Sequence, residues 1–315
     1  PTIKSTTFSS STNIYVIDIC VDAYKTAWSQ YASNISAGID VSDTLPTIYY
    51  TTYNSKEITP NIPNIVSHTY DECGGKITIN SSEFTTITQE TFLNCKSLTS
   101  ISLPDGITSI GSYAFTGFWA LTSINIPDSV TSIGEAAFSG CSSLTSITIP
   151  DSVTSVGEDA FKNCTSLTSV TIPDSVTSIG KAAFCGCDSL ESVTIGNGIT
   201  SIGEDAFYNC SSLASITIPD SVTSIGNHAF LGCDSLASVT IPDSVTSIGK
   251  DAFQNCTSLA SITIGNGVTS IGEDAFYNCT SLTSVTIPDS VTSIGKAAFC
   301  GCDSLESVTI GNGIT

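Results

Sequence analysis

The chain has 315 residues, 40% of them hydrophobic and only 12% charged; 29 acidic residues against nine lysines, with no arginine, give a net charge of −20. That balance excludes nucleic acid as a partner, because phosphate binding needs a basic stripe and arginine forks. Ser, Thr and Asn must supply most of the polar surface, which is not the surface of a typical enzyme.

The sequence contains no Met and starts at Pro1, so it is expected to be a mature or excised segment, and a soluble one. It has neither a charged-then-apolar leader nor a run of about 18 apolar residues, so no membrane span is expected in it. Residues 1–75 hold seven of the ten Tyr and are expected to form a small mixed region, either a cap on the rest of the chain or an assembly domain. The alternation over Asn13 to Ile19 and over Thr47 to Tyr53 predicts strands. Between them, Val21, Tyr24, Trp28, Tyr31 and Ile35 keep a 3-4-3-4 spacing, which predicts an amphipathic helix over Asp22 to Ile35. Pro46, Pro60 and Pro63 punctuate the remainder of the region.

From residue 76 to 315 the chain repeats itself. Leu98, Leu121, Leu144 and the later leucines, as far as Leu305, recur every 23 residues, in register with columns from Phe92 to Phe299, Gly111 to Gly295 and Ala114 to Ala298. In the unit Ser143 to Thr165, Leu144, Ile147 and Ile149 fit an L-x-x-L-x-L strand with its apolar residues inward. Pro150 and Asp151 make a turn, and a second extended stretch points Val153 and Val156 inward. Gly157 lets the chain bend into "EDAFKNC", expected as one helical or 3₁₀ turn that carries Ala160, Phe161 and Cys164 into the core. One such unit cannot bury enough surface to offset the ordering of its backbone, so neighbours must complete it. The predicted fold is a β-dominated leucine-rich-repeat solenoid of ten to eleven rungs, with a parallel sheet, short helical turns and the mixed N-terminal region.

The rhythm C-x-S-L-x-S-I-x-I-P-D-S-V-x-S-I-G-x-x-A-F resembles the BspA-like, or Treponema pallidum-type, leucine-rich repeats, over Ile77 to Thr315. The resemblance implies surface and secreted proteins whose usual roles are adhesion and protein recognition, without shared catalytic residues. Departures are few. Phe118 stands in the Cys column with Trp119 beside it, "GNG" replaces "PDS" at Gly196, Gly265 and Gly311, and Lys181 to Thr200 is identical to Lys296 to Thr315. The sequence ends in mid-unit at Thr315, which leads to the expectation that repeats are missing or that another chain covers the last rung.

Candidate sites are weak. Nine Cys from Cys95 to Cys302 share a column that reads as small buried thiols rather than metal ligands, since neither interleaved His nor C-x-x-C pairs accompany them. Cross-rung disulfides fall within bridging range; Cys20 with Cys73 is the one pairing singled out, and Cys185 and Cys300 are expected nearer the surface. The Asp column from Asp105 to Asp289 reads as turn-closing carboxylates rather than calcium ligands. Sequons at Asn34, Asn80, Asn163, Asn209, Asn255 and Asn278 are glycosylation candidates. His68 and His228 have no nucleophile partner in the pattern, so no enzyme, cofactor or metal is expected.

The outward strand positions Thr148, Thr171, Thr194, Thr217, Thr240, Thr263 and Thr286 form a hydroxyl-rich candidate binding face that lacks the aromatic anchors of protein hot spots. The expected function is an extracellular or cell-surface module for adhesion or for recognition of a protein or carbohydrate. The alternative is a structural subunit whose partners are copies of itself, assembled head to tail into a filament.

Overall fold

Each repeat forms one rung, and each rung lends the next its missing hydrogen bonds. A computed structural model describes residues 45–71, 74–79 and 83–314. The expected helix over 22–35, the strand over 13–19, the Cys20–Cys73 pairing and the sequons at Asn34 and Asn80 lie outside the described residues.

Among the described residues ten strands line one face of the solenoid, from Leu98–Ser102 to Ser307–Ile310. The eight from Ser146–Thr148 onward pair in parallel with a register of one repeat, so Ser169, Val170, Thr171 and Ile172 face Ser192, Val193, Thr194 and Ile195, and Leu98–Ser102 pairs with Ser123–Asn125 in the same way in a separate sheet. A second ladder of two-residue strands runs from Thr86–Ile87 to Ser293–Ile294, and Ile179 bridges its two halves through Val156 and Ile202. The side chains between these ladders repeat by column. Leu167, Leu190 and Leu213 are fully buried, as are Phe161, Phe184 and Phe207. The phenylalanines stack ring over ring, with Phe138–Phe161 centroids 5.3 Å apart and planes 3° from parallel.

The corner after each Gly differs from the expected helical or 3₁₀ turn, because no helix is present among the described residues. Asp159 and Asn163 adopt left-handed φ values of 54° and 57°, and these reverse the direction of alternate peptides. Thus Asp159, Phe161 and Asn163 donate N–H to the carbonyls of Lys181, Ala183 and Cys185 on the next rung, whereas Lys162 and Cys164 donate within their own rung to Asp159 and Phe161. A helix would turn every donor back on its own segment. Here three of these five join the next rung instead.

Three antiparallel strands precede the repeats: β1 (Thr47–Thr52), β2 (Ile65–Asp71) and β3 (Gly74–Ile79). β1 falls where the sequence predicts a strand. It pairs with β3 on one side and, on the other, antiparallel to the first wide strand of the repeats, Leu98–Ser102, with Tyr50 opposite Ile101. β3 thus spans the expected boundary at residue 75. Tyr50 is fully buried; its hydroxyl lies 2.7 Å from His68 Nε2, and burial pushes its pKa up to about 12. No helix among the described residues is long and apolar enough to cross a membrane.

Candidate functional site

Strand alternation sends every second residue of the wide strands out to solvent. Thr148, Thr171, Thr194, Thr217, Thr240, Thr263 and Thr286 are all exposed, with Thr171 opposite Thr194 and Thr240 opposite Thr263. Neighbouring strands lie about 4.8 Å apart, so these hydroxyls form a regular row along the solenoid axis. A parallel row runs three residues earlier in each rung. There Thr122 Oγ1 donates to the carbonyl of Thr99 at 2.9 Å, and Thr168 Oγ1 to that of Thr145 at 3.3 Å.

The glycine-rich departures shape this face. Gly196 stands where most rungs have Pro, and its N–H extends the ladder by donating to Ile172 O at 2.8 Å, which proline cannot do. Asp174 Oδ1 accepts the N–H of Asn197 at 2.7 Å. A shallow groove of about 560 Å³ lies along Thr171, Pro173, Asp174, Thr194, Gly196 and Asn197. A Cβ on Gly198 would lie 2.0 Å from Asp174 O, so the turn depends on that glycine.

The remaining candidates are dispersed over other faces. The exposed Asp105, Asp128, Asp151, Asp174, Asp220, Asp243 and Asp289 line the turn that ends each wide strand. Asn163, Asn209, Asn255 and Asn278 all have φ between 55° and 60° and alternate with Gly in one corner column, as residues that tolerate the left-handed region do. Asn163 and Asn209 are exposed, Asn255 and Asn278 half-buried. Asn278 Nδ2 donates to Asn255 Oδ1 at 3.0 Å.

The cysteines from Cys95 to Cys302 are free. Cys187 Sγ donates to the carbonyl of Phe161 at 3.2 Å, and the other column thiols from Cys141 onward repeat that bond, as at Cys233 to Phe207. Burial raises their pKa values, to about 12 at Cys141 and Cys187. Cys185 is half-buried and Cys300 exposed.

His228 lies between two carboxylates, with Nδ1 3.2 Å from Asp205 and Nε2 3.2 Å from Asp251. Glu204, Asp205 and His228 offer ligand atoms within 4.8 Å of one another, the one such group among the described residues. The pairing of both ring nitrogens accounts for this geometry without an ion. On the same corner, Lys181 pairs with Glu204 at 2.7 Å, which lowers the pKa of Glu204.

One aromatic feature escapes a reading by columns. Tyr53 and Trp119, 66 positions apart in sequence, meet with ring centroids 5.3 Å apart, and both stay more than half exposed. Trp119 departs visibly from its column, but Tyr53 lies outside the repeat, so their contact needs the pairing of β1 with the first rung.

Taken together, the wide parallel strands, the leucine columns and the 23-residue rung define a leucine-rich-repeat solenoid. The model of the BspA type leucine rich repeat region matches residues 30–143, 63–191, 108–237 and 225–315, and the chain belongs to that family. Among solved structures it is similar to a leucine-rich repeat protein from Bacteroides ovatus, at 27% identity and a TM-score of 0.45, over 87% of this chain and 94% of that one. It is similar also to a leucine rich cell surface protein from Faecalibacterium prausnitzii, at 29% identity and 0.43, over 87% and 95%, and to the T. pallidum leucine rich repeat protein, at 28% and 0.42, over 66% and 78%. No curated protein matches the chain.

Proposed function

We propose that the protein is a non-catalytic recognition module at the cell surface or outside the cell, and that its wide-strand face is the adhesive surface. The observation that carries this reading is the row of exposed threonines that recurs every 23 residues from Thr148 to Thr286, with a shallow groove beside Thr171 and Thr194. A rigid row of identical hydroxyls suits a ligand that itself repeats, because many weak contacts at fixed spacing add through multivalency. The strongly acidic, arginine-free composition supports residence outside the cell rather than a role on nucleic acid.

Replacing Thr148, Thr171 and Thr194 by Lys introduces three like charges along the row while leaving the buried alternate positions intact. Saturable binding of the full chain to a protein or glycan array is expected to be lost in that variant. Binding that survives it would remove this face from the reading, and the same samples in sedimentation velocity separate ligand recognition from association between copies of the chain.

A further inference from the structure

The geometry points to a saccharide-binding platform formed by Tyr53 and Trp119 at the N-terminal end of the solenoid, selective for neutral oligosaccharides. It deepens the recognition reading but stands on residues outside the threonine row. Trp119 occupies a column that elsewhere holds short or polar side chains such as Lys96, Ser142, Thr165 and Asp188. The core does not need it. Phe118 beside it, 1% exposed, already fills the corner and meets Phe115 edge-on at 5.4 Å. The indole instead stays 53% exposed against a Tyr53 that is 58% exposed, and their planes are inclined by 41°. Two large rings thus keep more than half of their surface in water at a cost in apolar hydration, and no packing among the described residues of the rung accounts for it.

The surroundings select the partner. Asn54, Ser55, Thr122 and Ser123 are exposed beside the rings in sequence. Thr122 Oγ1 spends its proton on Thr99 O, and its oxygen keeps lone pairs for an incoming donor. Aromatic anchors for proteins sit in well-packed pockets ringed by contacts that exclude water, whereas these rings stay open to solvent, with exposed polar residues next to both in the sequence. Such a setting matches a pyranose. Its C–H face carries partial positive charge toward the negative face of each ring, while its equatorial hydroxyls reach the polar rim.

Charge narrows the class further. The ammonium of Lys96 is engaged by the carbonyl of Thr116 and by the Phe118 ring, 4.0 Å from its centroid, and burial lowers its pKa. With a net charge of −20, the protein repels acidic glycans and accepts neutral ones. Thr122 lies three residues beyond Trp119 on the same rung, and Thr145 follows Thr122 one rung, about 4.8 Å, along the axis.

The test uses the full chain carrying Trp28→Phe, which leaves Trp119 as its single indole. Emission is followed during titration with cellohexaose, mannohexaose, N-acetylchitohexaose and, as the acidic control, hexagalacturonate. A saturable shift with at least one neutral oligosaccharide and none with hexagalacturonate is expected. Tyr53→Ser, read by Trp119 emission, is expected to weaken the affinity about tenfold or more. Trp119→Ser restores a residue that the column already uses, so its fold is secure; calorimetry on it should give the same loss. The threonine-to-lysine triple variant is expected to keep this binding, so the failure of one reading is distinguishable from that of the other.

The absence of a shift with any neutral oligosaccharide at millimolar concentration would overturn the proposal. So would unchanged binding by both serine variants, or loss confined to the threonine variant. A shift that grows with protein concentration alone would assign the rings to a contact between copies and equally overturn it.

Discussion

At the scale of single residues, the cysteine column illustrates how burial and one hydrogen bond set reactivity. Each buried thiol from Cys141 to Cys279 is enclosed by leucine and phenylalanine columns and donates to a phenylalanine carbonyl on the preceding rung, as Cys210 does to Phe184 at 3.2 Å. The thiolate is the nucleophile, so these groups are inert while folded. Iodoacetamide mapping of the native protein is therefore expected to label Cys300 first among the described cysteines and Cys185 more slowly, and the column only after unfolding. Prompt native labelling of Cys210 or Cys233 would contradict this packing. The same burial makes stability depend on alkaline pH. Cys141, Cys187 and Cys279 are raised from 9.0 to about 12, and Tyr50 from 10.0 to about 12. Between those values the folded chain holds protons that the unfolded chain has released. Their contribution is complete below pH 9 and is lost as pH rises toward 12. Urea midpoints measured from pH 7 to 11 should stay level and then fall above pH 9, and Ala at Cys141, Cys187 and Cys279 should flatten part of that fall. The column's burial was legible from its period alone. The carbonyl partner was not, because it lies 26 residues away on another rung.

At the scale of elements, strands and corners were unequally legible. Wide strands announce themselves through the alternation of Ile and Val with Ser and Thr, and β1 was visible at Thr47 to Tyr53 for the same reason. The corner misled because Glu, Asp, Ala and Phe read locally as helix formers or caps, while the deciding fact is nonlocal: alternate N–H groups find carbonyls one rung away. Left-handed φ at Asp159 and Asn163 is the backbone's means of doing so. Close stacking leaves the glycine before each corner little room. A Cβ on Gly180 would lie 2.6 Å from the carbonyl carbon of Gly157 and 2.8 Å from the nitrogen of Glu158, and backbone atoms of a paired rung cannot yield. Gly180→Ala is thus expected to cost about 1–3 kcal/mol through overpacking. Asn163→Gly should stay within about 1 kcal/mol, since Gly140 and Gly186 hold the same column at φ 73° and 69°. Urea unfolding of the two variants beside the parent checks the contrast; equal losses would mean that the corner, not the glycine stack, limits how closely rungs approach.

At the scale of the whole molecule, the solenoid is a one-dimensional stack in which every rung meets only its neighbours, with β1 as the antiparallel partner of the first wide strand. Repetition made this architecture readable, yet it also concealed the Tyr53–Trp119 pair, whose rings belong to different kinds of element and meet only through the β1 pairing. Nearest-neighbour coupling has a direct consequence. Removing residues 169–191 excises one 23-residue rung and joins Thr168 to Ser192, so that Ser146 to Thr148 would face Ser192 to Thr194 in the register now held by Ser169 to Thr171. The leucine, phenylalanine and cysteine columns each lose one member and close without a phase shift. The shortened chain is expected to keep its circular dichroism and to unfold cooperatively, with a urea m value lower by about a tenth, in proportion to the surface one rung of ten exposes. Removing residues 169–180 instead would bring a wide strand against a corner, set apolar positions outward and leave ladder donors unpaired, and this chain should fail to fold. If both deletions unfold, stability rests on contacts beyond nearest neighbours; if both fold, the 23-residue register is not what holds the rungs together.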